Sequence, residues 1–199
     1  MGDCSGLRAE RLNEYGVMPA KSAKILITGL PGCGKTTAVM RILNKLNCEK
    51  VAGFYTEEIR EAAVRKGFSW KRLDGATGTL AHVDIKGRFR VGRYGVDVAG
   101  FEKSVVSTLD VERTDTELFV LDEIGKMECF SGKFVATVRR LFASDRSVLA
   151  TVALKGGGLI SEVKSHPNTR LFRLTQQSRD ETVGEILKIL SFLTRSDGG

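Results

Sequence analysis

No apolar run in the sequence is long enough to cross a membrane as a helix, and the first residues carry no long apolar core of the secretory kind. Gly2 is followed by Gly6 where a myristoylation signal would want Ser or Thr. Cys4, Cys33, Cys48 and Cys129 form no C-x-x-C pair and have no histidine nearby at metal-ligand spacing, which argues against a zinc ribbon or a redox dithiol. Reduced thiols remain, and with them a soluble cytoplasmic chain. His82 and His166 have no partner acid at recognisable spacing and read as structural or surface residues. The formal charge is +7, yet the 31 Lys and Arg residues form no long basic block, so the excess favours a polyanionic partner without naming one.

What is present starts with size. A chain of 199 residues, 42% of them hydrophobic, can bury a substantial core as a single domain, expected over 23–195. Residues 1–22 fit it poorly. They carry scattered charge, Gly16, Pro19 and only a brief helical pattern around Leu7 to Tyr15, as a disordered N-terminal extension would.

The most informative stretch is Gly29-Leu30-Pro31-Gly32-Cys33-Gly34-Lys35-Thr36, which fills every fixed position of G-x-x-x-x-G-K-[ST]. Chance alone would place those four positions in only ~1 to 2% of chains this long. The apolar run Lys24 to Thr28 predicts a buried strand before it, and Val39, Ile42, Leu43 and Leu46 predict a helix after it. That order aims successive backbone N–H groups and a helix N-terminus at one point, where an anion is expected. Gly29, Gly32 and Gly34 permit the close backbone approach, and Leu30, Pro31, Cys33 and Thr37 complete the nucleotide-binding stretch, with the Cys33 thiol as a small filler. Lys35 supplies charge for the β- and γ-phosphates, and the Thr36 hydroxyl is placed to ligate Mg²⁺.

Val51 to Thr56 predicts a second strand, ending in the charged run Glu57 to Arg60. From about 60 to 98 an alternating pattern is broken by Gly67, Gly75, Gly78, Gly87, Gly92 and Gly95, which predicts an antiparallel β-hairpin insertion with Trp70 packed inside it. Phe101, Val105 and Leu109 form a helical face, and Leu118 to Glu123 reads as a central strand ending in two acids. A helix on Phe134, Val138, Leu141 and Phe142 follows, with Arg139 and Arg140 on its solvated face. Then come a strand over Val148 to Val152, a flexible loop at Lys155 to Gly158 and a last strand marked by Leu171, Phe172 and Leu174. Ser178 and Glu181 have capping-box spacing before a helix on Val183, Ile186, Leu187 and Leu190. The alternation implies an α/β P-loop NTPase fold: a central, mostly parallel sheet with helices on both faces, whose ligands bind beyond the carboxyl ends of the strands.

Asp122 fits the acid that holds Mg²⁺ opposite Thr36. Glu123 beside it could orient and deprotonate an attacking water, which favours hydrolysis over transfer to an acceptor, or it could be a solvated strand-end acid. Lys126 could meet charge developing on the γ-phosphate or pair with Glu128 at the surface.

The stretch Asp122 to Glu128 (DEIGKME), the loop Gly29 to Thr36 and Gly53 to Arg60 together resemble the cancer-related nucleoside-triphosphatase family, itself similar to the catalytic-Glu P-loop ATPases. The resemblance extends through Lys66 to Phe68, Val91 to Val96, Phe101-Glu102 and Ser178 to Asp180. It implies a slow Mg²⁺-dependent hydrolase that splits ATP, GTP, CTP, UTP and related nucleotides with little base preference. Lys35, Glu123 and Lys126 would be catalytic, Thr36 and Asp122 would hold the metal, and Arg179 matches an arginine near the nucleotide. The sequence departs from the family after Thr151, where Val152-Ala153-Leu154 replace a proline-containing loop. The competing readings are a nucleotide or nucleoside kinase and a nucleic-acid-associated switch. The latter is disfavoured because basic and aromatic residues do not interleave. A monomer with no membrane contact is expected.

Overall fold

The computed structural model describes residues 22–191. Cys4, the helical pattern at Leu7 to Tyr15 and residues 192–195 of the expected domain lie outside them. The chain begins with β1 (Lys24–Thr28), α1 (Lys35–Leu46) and β2 (Val51–Glu61), then forms β3 (Val64–Arg72), β4 (Thr77–His82), β5 (Arg90–Val91) and β6 (Tyr94–Val96). It continues through α2 (Val98–Ser104), β7 (Leu118–Ile124), α3 (Gly132–Ala143), β8 (Ser147–Val152), α4 (Leu159–Ser165), β9 (Thr169–Arg173) and α5 (Arg179–Leu190).

All the strands join one nine-stranded sheet in the order β5-β6-β4-β3-β2-β7-β8-β1-β9. The half from β2 to β9 is parallel, and the half from β5 to β2 is antiparallel. Strand β2 belongs to both. Its first residues, Val51 to Phe54, run parallel to β7, and from Phe54 onward it pairs with β3, so the hairpin extension starts earlier than residue 60.

Alternation along the buried strands divides the core in two. Ile25, Ile27, Leu118 and Val120 face α1 and α5, where Val39, Ile42, Val183 and Ile186 meet them. Leu26, Phe119 and Leu121 face the other side, with Phe101 of α2, Phe134 and Val138 of α3 and Ile160 and Val163 of α4. Helices thus cover both faces of the parallel half. Phe54, Phe101 and Phe134 pack edge to face or tilted, with centroids 5.3 to 6.1 Å apart.

Several local expectations are corrected. Helix α4 lies between the expected loop and the last strand, where no element is expected, because Leu159, Ile160 and Val163 follow a helical spacing that the preceding glycines obscure. Ser178 does not cap α5. Its hydroxyl pairs with Thr175 instead, accepting from the Thr175 amide at 3.1 Å. Leu174 lies just beyond β9, although its amide still donates to Thr28 O at 2.7 Å. His82 does find an acid, with Nδ1 3.3 Å from Asp84 Oδ2. Trp70 packs inside the hairpin region as expected, against Gly78, where a Cβ would lie 2.4 Å from the indole.

Gly53 sits at the junction of the two halves with φ of +138°, and a Cβ there would lie 1.9 Å from Val120 O on β7. Both the conformation and the close approach demand glycine. Gly53→Ala should therefore cost ~3 kcal/mol or more, the sum of backbone strain and forced strand separation. Urea denaturation of the two proteins measures it, and an unchanged midpoint would contradict this packing at β2–β7.

Candidate active site

The turn between β1 and α1 carries the phosphate-loop motif at the carboxyl end of a central strand. Gly32 and Gly34 have φ of +76° and +94°, conformations that glycine adopts without strain. Helix α1 opens at Gly34 with no side-chain cap, and its first bond inside the turn runs from the Ala38 amide to Gly34 O at 2.9 Å. The amides of Gly32, Gly34, Lys35, Thr36 and Thr37 donate no hydrogen bond among the described residues, which leaves a nest of N–H groups open to an anion. Beneath it, buried Cys33 fills the space that a Cβ on Gly29 would need, 2.7 Å away. Leu30, Pro31 and Thr37 are exposed. Lys35 reaches back across the loop, its Nζ 3.4 Å from Gly29 O.

Over this nest lies Arg179, the first residue of α5. Its Nη1 is 2.8 Å from where a Cβ of Gly34 would stand, and its Nε is buried with no hydrogen-bond partner. The Arg41–Asp180 ion pair ties the two helices together at 2.5 Å beside it. A half-buried guanidinium with an unsatisfied donor, set against an open amide nest, suits an anion that both would share.

Asp122 ends the apolar run of β7 at 1% exposure. Thr36 Oγ1 donates to its Oδ2 at 2.6 Å, and Thr151 Oγ1, from β8, donates to its Oδ1 at 2.5 Å. Burial raises the Asp122 pKa, and the two hydroxyls, with Lys35 beyond them, oppose that rise. Thr151 was not anticipated as a site residue. The signal was available, since it is the lone polar side chain within the apolar run Val148 to Val152. Glu123 is partly buried, and its carboxyl is likewise raised by desolvation, with Lys35 pulling it down and Asp122 pushing it up.

After β7 the chain makes a tight turn. Fully buried Glu128 accepts a hydrogen bond from the Gly125 amide at 3.1 Å. A Cβ on Gly125 would lie 2.9 Å from Glu128 Oε2 and 3.1 Å from Glu123 Oε1, so the two carboxyl groups flank the same backbone atom. Desolvation pushes the Glu128 pKa up to about 8. Lys126 does not pair with Glu128. It is exposed and makes no ion pair or hydrogen bond among the described residues. The structure thus brings Gly29, Gly32, Gly34, Lys35, Thr36, Asp122, Glu123 and Arg179 to one locality and leaves Lys126 on the rim of a neighbouring groove. Where the proline-containing loop is missing, Lys164 Nζ donates to Ala153 O and Leu154 O at 2.6 and 3.0 Å and holds the segment in place.

A parallel sheet flanked on both faces, with an amide nest after β1 and a buried acid ending β7, defines a P-loop NTPase fold. A family model described as NTPase matches residues 24–187. The nucleoside-triphosphatase THEP1 of Thermotoga petrophila is 41% identical over 171 residues, covering 85% of this chain and 93% of the relative. The human cancer-related nucleoside-triphosphatase is 32% identical over 178 residues, covering 82% and 94%. The crystal structure of THEP1 from Aquifex aeolicus superposes with a TM-score of 0.77 at 34% identity, covering 84% of this chain and 98% of that one. The chain belongs to the nucleoside-triphosphatase family.

Glu128 binds its proton more tightly in the folded protein than in the unfolded chain, where the carboxyl has its ordinary value near 4.5. Folding therefore takes up a proton between pH 4.5 and about 8, and stability falls as pH rises through that window. Glu128→Gln removes this dependence and should gain on the native protein by on the order of 5 kcal/mol from the acid to the alkaline end. Denaturation curves at several pH values measure the difference, and parallel profiles for the two proteins would contradict it.

Proposed function

We propose that the protein hydrolyses nucleoside triphosphates to the diphosphate and phosphate, with Mg²⁺ as cofactor and with little preference among ATP, GTP, CTP, UTP and related bases. The observation that carries this reading is the position of Glu123. It is a desolvated carboxyl at the end of β7, beside the acid that contacts Thr36 and within the field of Lys35. Desolvation raises its proton affinity, the condition a general base needs to take a proton from water. A second carboxylate beside the metal-binding acid is placed to orient and deprotonate a water for in-line attack, which favours hydrolysis over transfer.

In this reading the open amides from Gly32 to Thr37 and Lys35 hold the β- and γ-phosphates, and Arg179 supplies the donors left unpaired over Gly34. Grip by backbone amides reads phosphates and not bases, which supports broad specificity. Thr36 and Asp122 offer hard oxygen donors 2.6 Å apart, which fits Mg²⁺. Among the described residues no three His, Cys, Asp or Glu side chains converge as a metal cage, and Mg²⁺ in phosphate sites takes its other ligands from phosphates and water. When bound, the ion neutralises charge developing on the phosphate oxygens. Glu123 orients a water in line with the γ-phosphorus and takes its proton as the P–O bond to the leaving diphosphate breaks, while Lys126 lies three residues further along the same turn. No helix among the described residues is long and apolar enough to cross a membrane.

Replacing Glu123 with Gln keeps the size and removes the base. Turnover should fall by at least ~100-fold while Mg-nucleotide binding stays within a few-fold of native. Lys35→Ala should instead weaken triphosphate binding itself. Phosphate release and titration of a slowly hydrolysed triphosphate separate the two effects. Label from the γ-phosphate appearing on an acceptor, with little free phosphate, would support a kinase and overturn this reading.

A further inference from the structure

Past the carboxyl ends of β7 and β8 lies a groove of about 410 Å³ between the β5–β6 turn and the glycine loop that follows β8. Its walls come from three separate parts of the chain: Arg90 and Gly92 from the hairpin extension, Lys126 and Phe130 from the turn after the acids, Gly156 and Ile160 from the glycine loop and α4. No Asp or Glu lines it among the described residues.

Among the described residues its cations lack carboxylate partners. Arg90 is held in place by two carbonyls, Nη1 donating to Ile85 O at 3.3 Å and Nη2 to Arg93 O at 2.8 Å, so its charge is positioned but not neutralised. Lys126 has no partner among the described residues. The amides of Lys155, Gly156 and Gly157 donate no hydrogen bond there either. Elsewhere several surface cations are paired, Arg60 and Arg65 with Glu58, Lys71 with Glu57, Arg139 with Glu162 and Arg140 with Glu112. The groove also has an apolar side. Phe130 meets Phe89 with ring centroids 5.4 Å apart, and the Arg88 guanidinium lies 4.6 Å over Phe89.

We propose that this groove binds a second ligand, a phosphate monoester of a small molecule with an apolar or aromatic body. A monoester carries close to two negative charges at neutral pH, which Arg90 and Lys126 would share with the free amides of the glycine loop. Phe130 and Ile160 would cover the body of the ligand. The volume lies in the range of small-molecule sites, and a polynucleotide would need a longer track of cations than one recess provides. Because Lys126 belongs to the turn that carries Glu123, the occupant would sit next to the hydrolytic site. That placement rests on the reading of Glu123 given above, whereas the binding itself does not.

The test titrates AMP, CMP, ribose 5-phosphate and inorganic phosphate into the full chain, saturated beforehand with Mg²⁺ and a slowly hydrolysed triphosphate analogue, by calorimetry. Saturable one-to-one binding of a monophosphate is expected, at least ~10-fold tighter than inorganic phosphate because of the apolar wall. Arg90→Ala should weaken it by ~10-fold or more, the worth of a lost charge-assisted contact. Gly157→Asp should do the same. A Cβ at Gly157 meets nothing within 4 Å, so that variant folds and only reverses the local charge. Hydrolysis without monophosphate should stay within ~2-fold of native in both variants, since neither residue touches the phosphate nest. Binding seen only when the analogue is absent, equal binding to the native and variant proteins, or binding of an oligonucleotide but no monophosphate would each overturn the proposal. Loss of native hydrolysis would instead refute the proposed function while leaving the titration readable.

Discussion

The structure depends on keeping one buried carboxylate in place. Asp122 is 1% exposed at the end of an apolar strand, where an unpaired charge would cost several kcal/mol. It is tolerable there because two hydroxyls donate to it from opposite directions, Thr36 from the first turn of α1 and Thr151 from β8. The strand order sets this up. With β8 between β7 and β1, the end of β7 faces a β8 side chain and, beyond it, the loop leaving β1. Thr28 adds a further link, its hydroxyl donating to Val152 O at 3.0 Å. The carboxyl edge of the sheet is thereby stitched by threonines, which sets the spacing between the phosphate loop and Asp122.

The rest of the fold supports that edge from two sides. On one face α1 and α5 pack together over Ile25, Ile27, Leu118 and Val120, and the closure brings Arg179 down over Gly34. Side-chain packing does the positioning here. The Arg41–Asp180 pair is largely exposed and contributes little beyond orientation. On the other side, β2 passes from parallel to antiparallel pairing without a break, and the hairpins extend the same sheet as a rigid continuation. The turn between β5 and β6 comes to rest beside the loops that leave β7 and β8 as a result.

Much of this was legible in the sequence where one residue type had one physical use. The glycine loop, the strand before it and the helix after it could be read because φ-positive glycines, an apolar run and a 3.6-residue period are local signals. The acids at the end of β7 could be read because they close a continuous apolar run at the end of a strand where ligands of such sheets bind. What escaped was non-local or shared between patterns. Thr151 serves as a site residue only because β8 neighbours β7, and strand order is not written in one strand. Ser178 has capping spacing, yet its hydroxyl finds Thr175 closer, a competition that spacing cannot decide. Helix α4 was hidden because Gly156, Gly157 and Gly158 read as loop and its two turns are too short for periodicity to stand out. The sequence leaves Lys126 with more than one use, since its neighbours come from other parts of the chain.

The +7 charge takes on a different meaning once the partners are assigned. Read along the sequence the excess favours a polyanionic partner but forms no long basic block. In space carboxylates cancel part of it. On the hairpin strands Glu57 and Glu58 each hold one or two basic residues, and Glu112 and Glu162 hold those of α3. What is left uncancelled includes Lys35 and Arg179 at the amide nest and Arg90 and Lys126 at the adjoining groove, all at the carboxyl edge of the sheet. Positive charge gathered at that edge, over low-dielectric walls, favours an anion there. Charge pairing elsewhere is therefore part of how this fold presents its site, even though each surface pair adds little to stability.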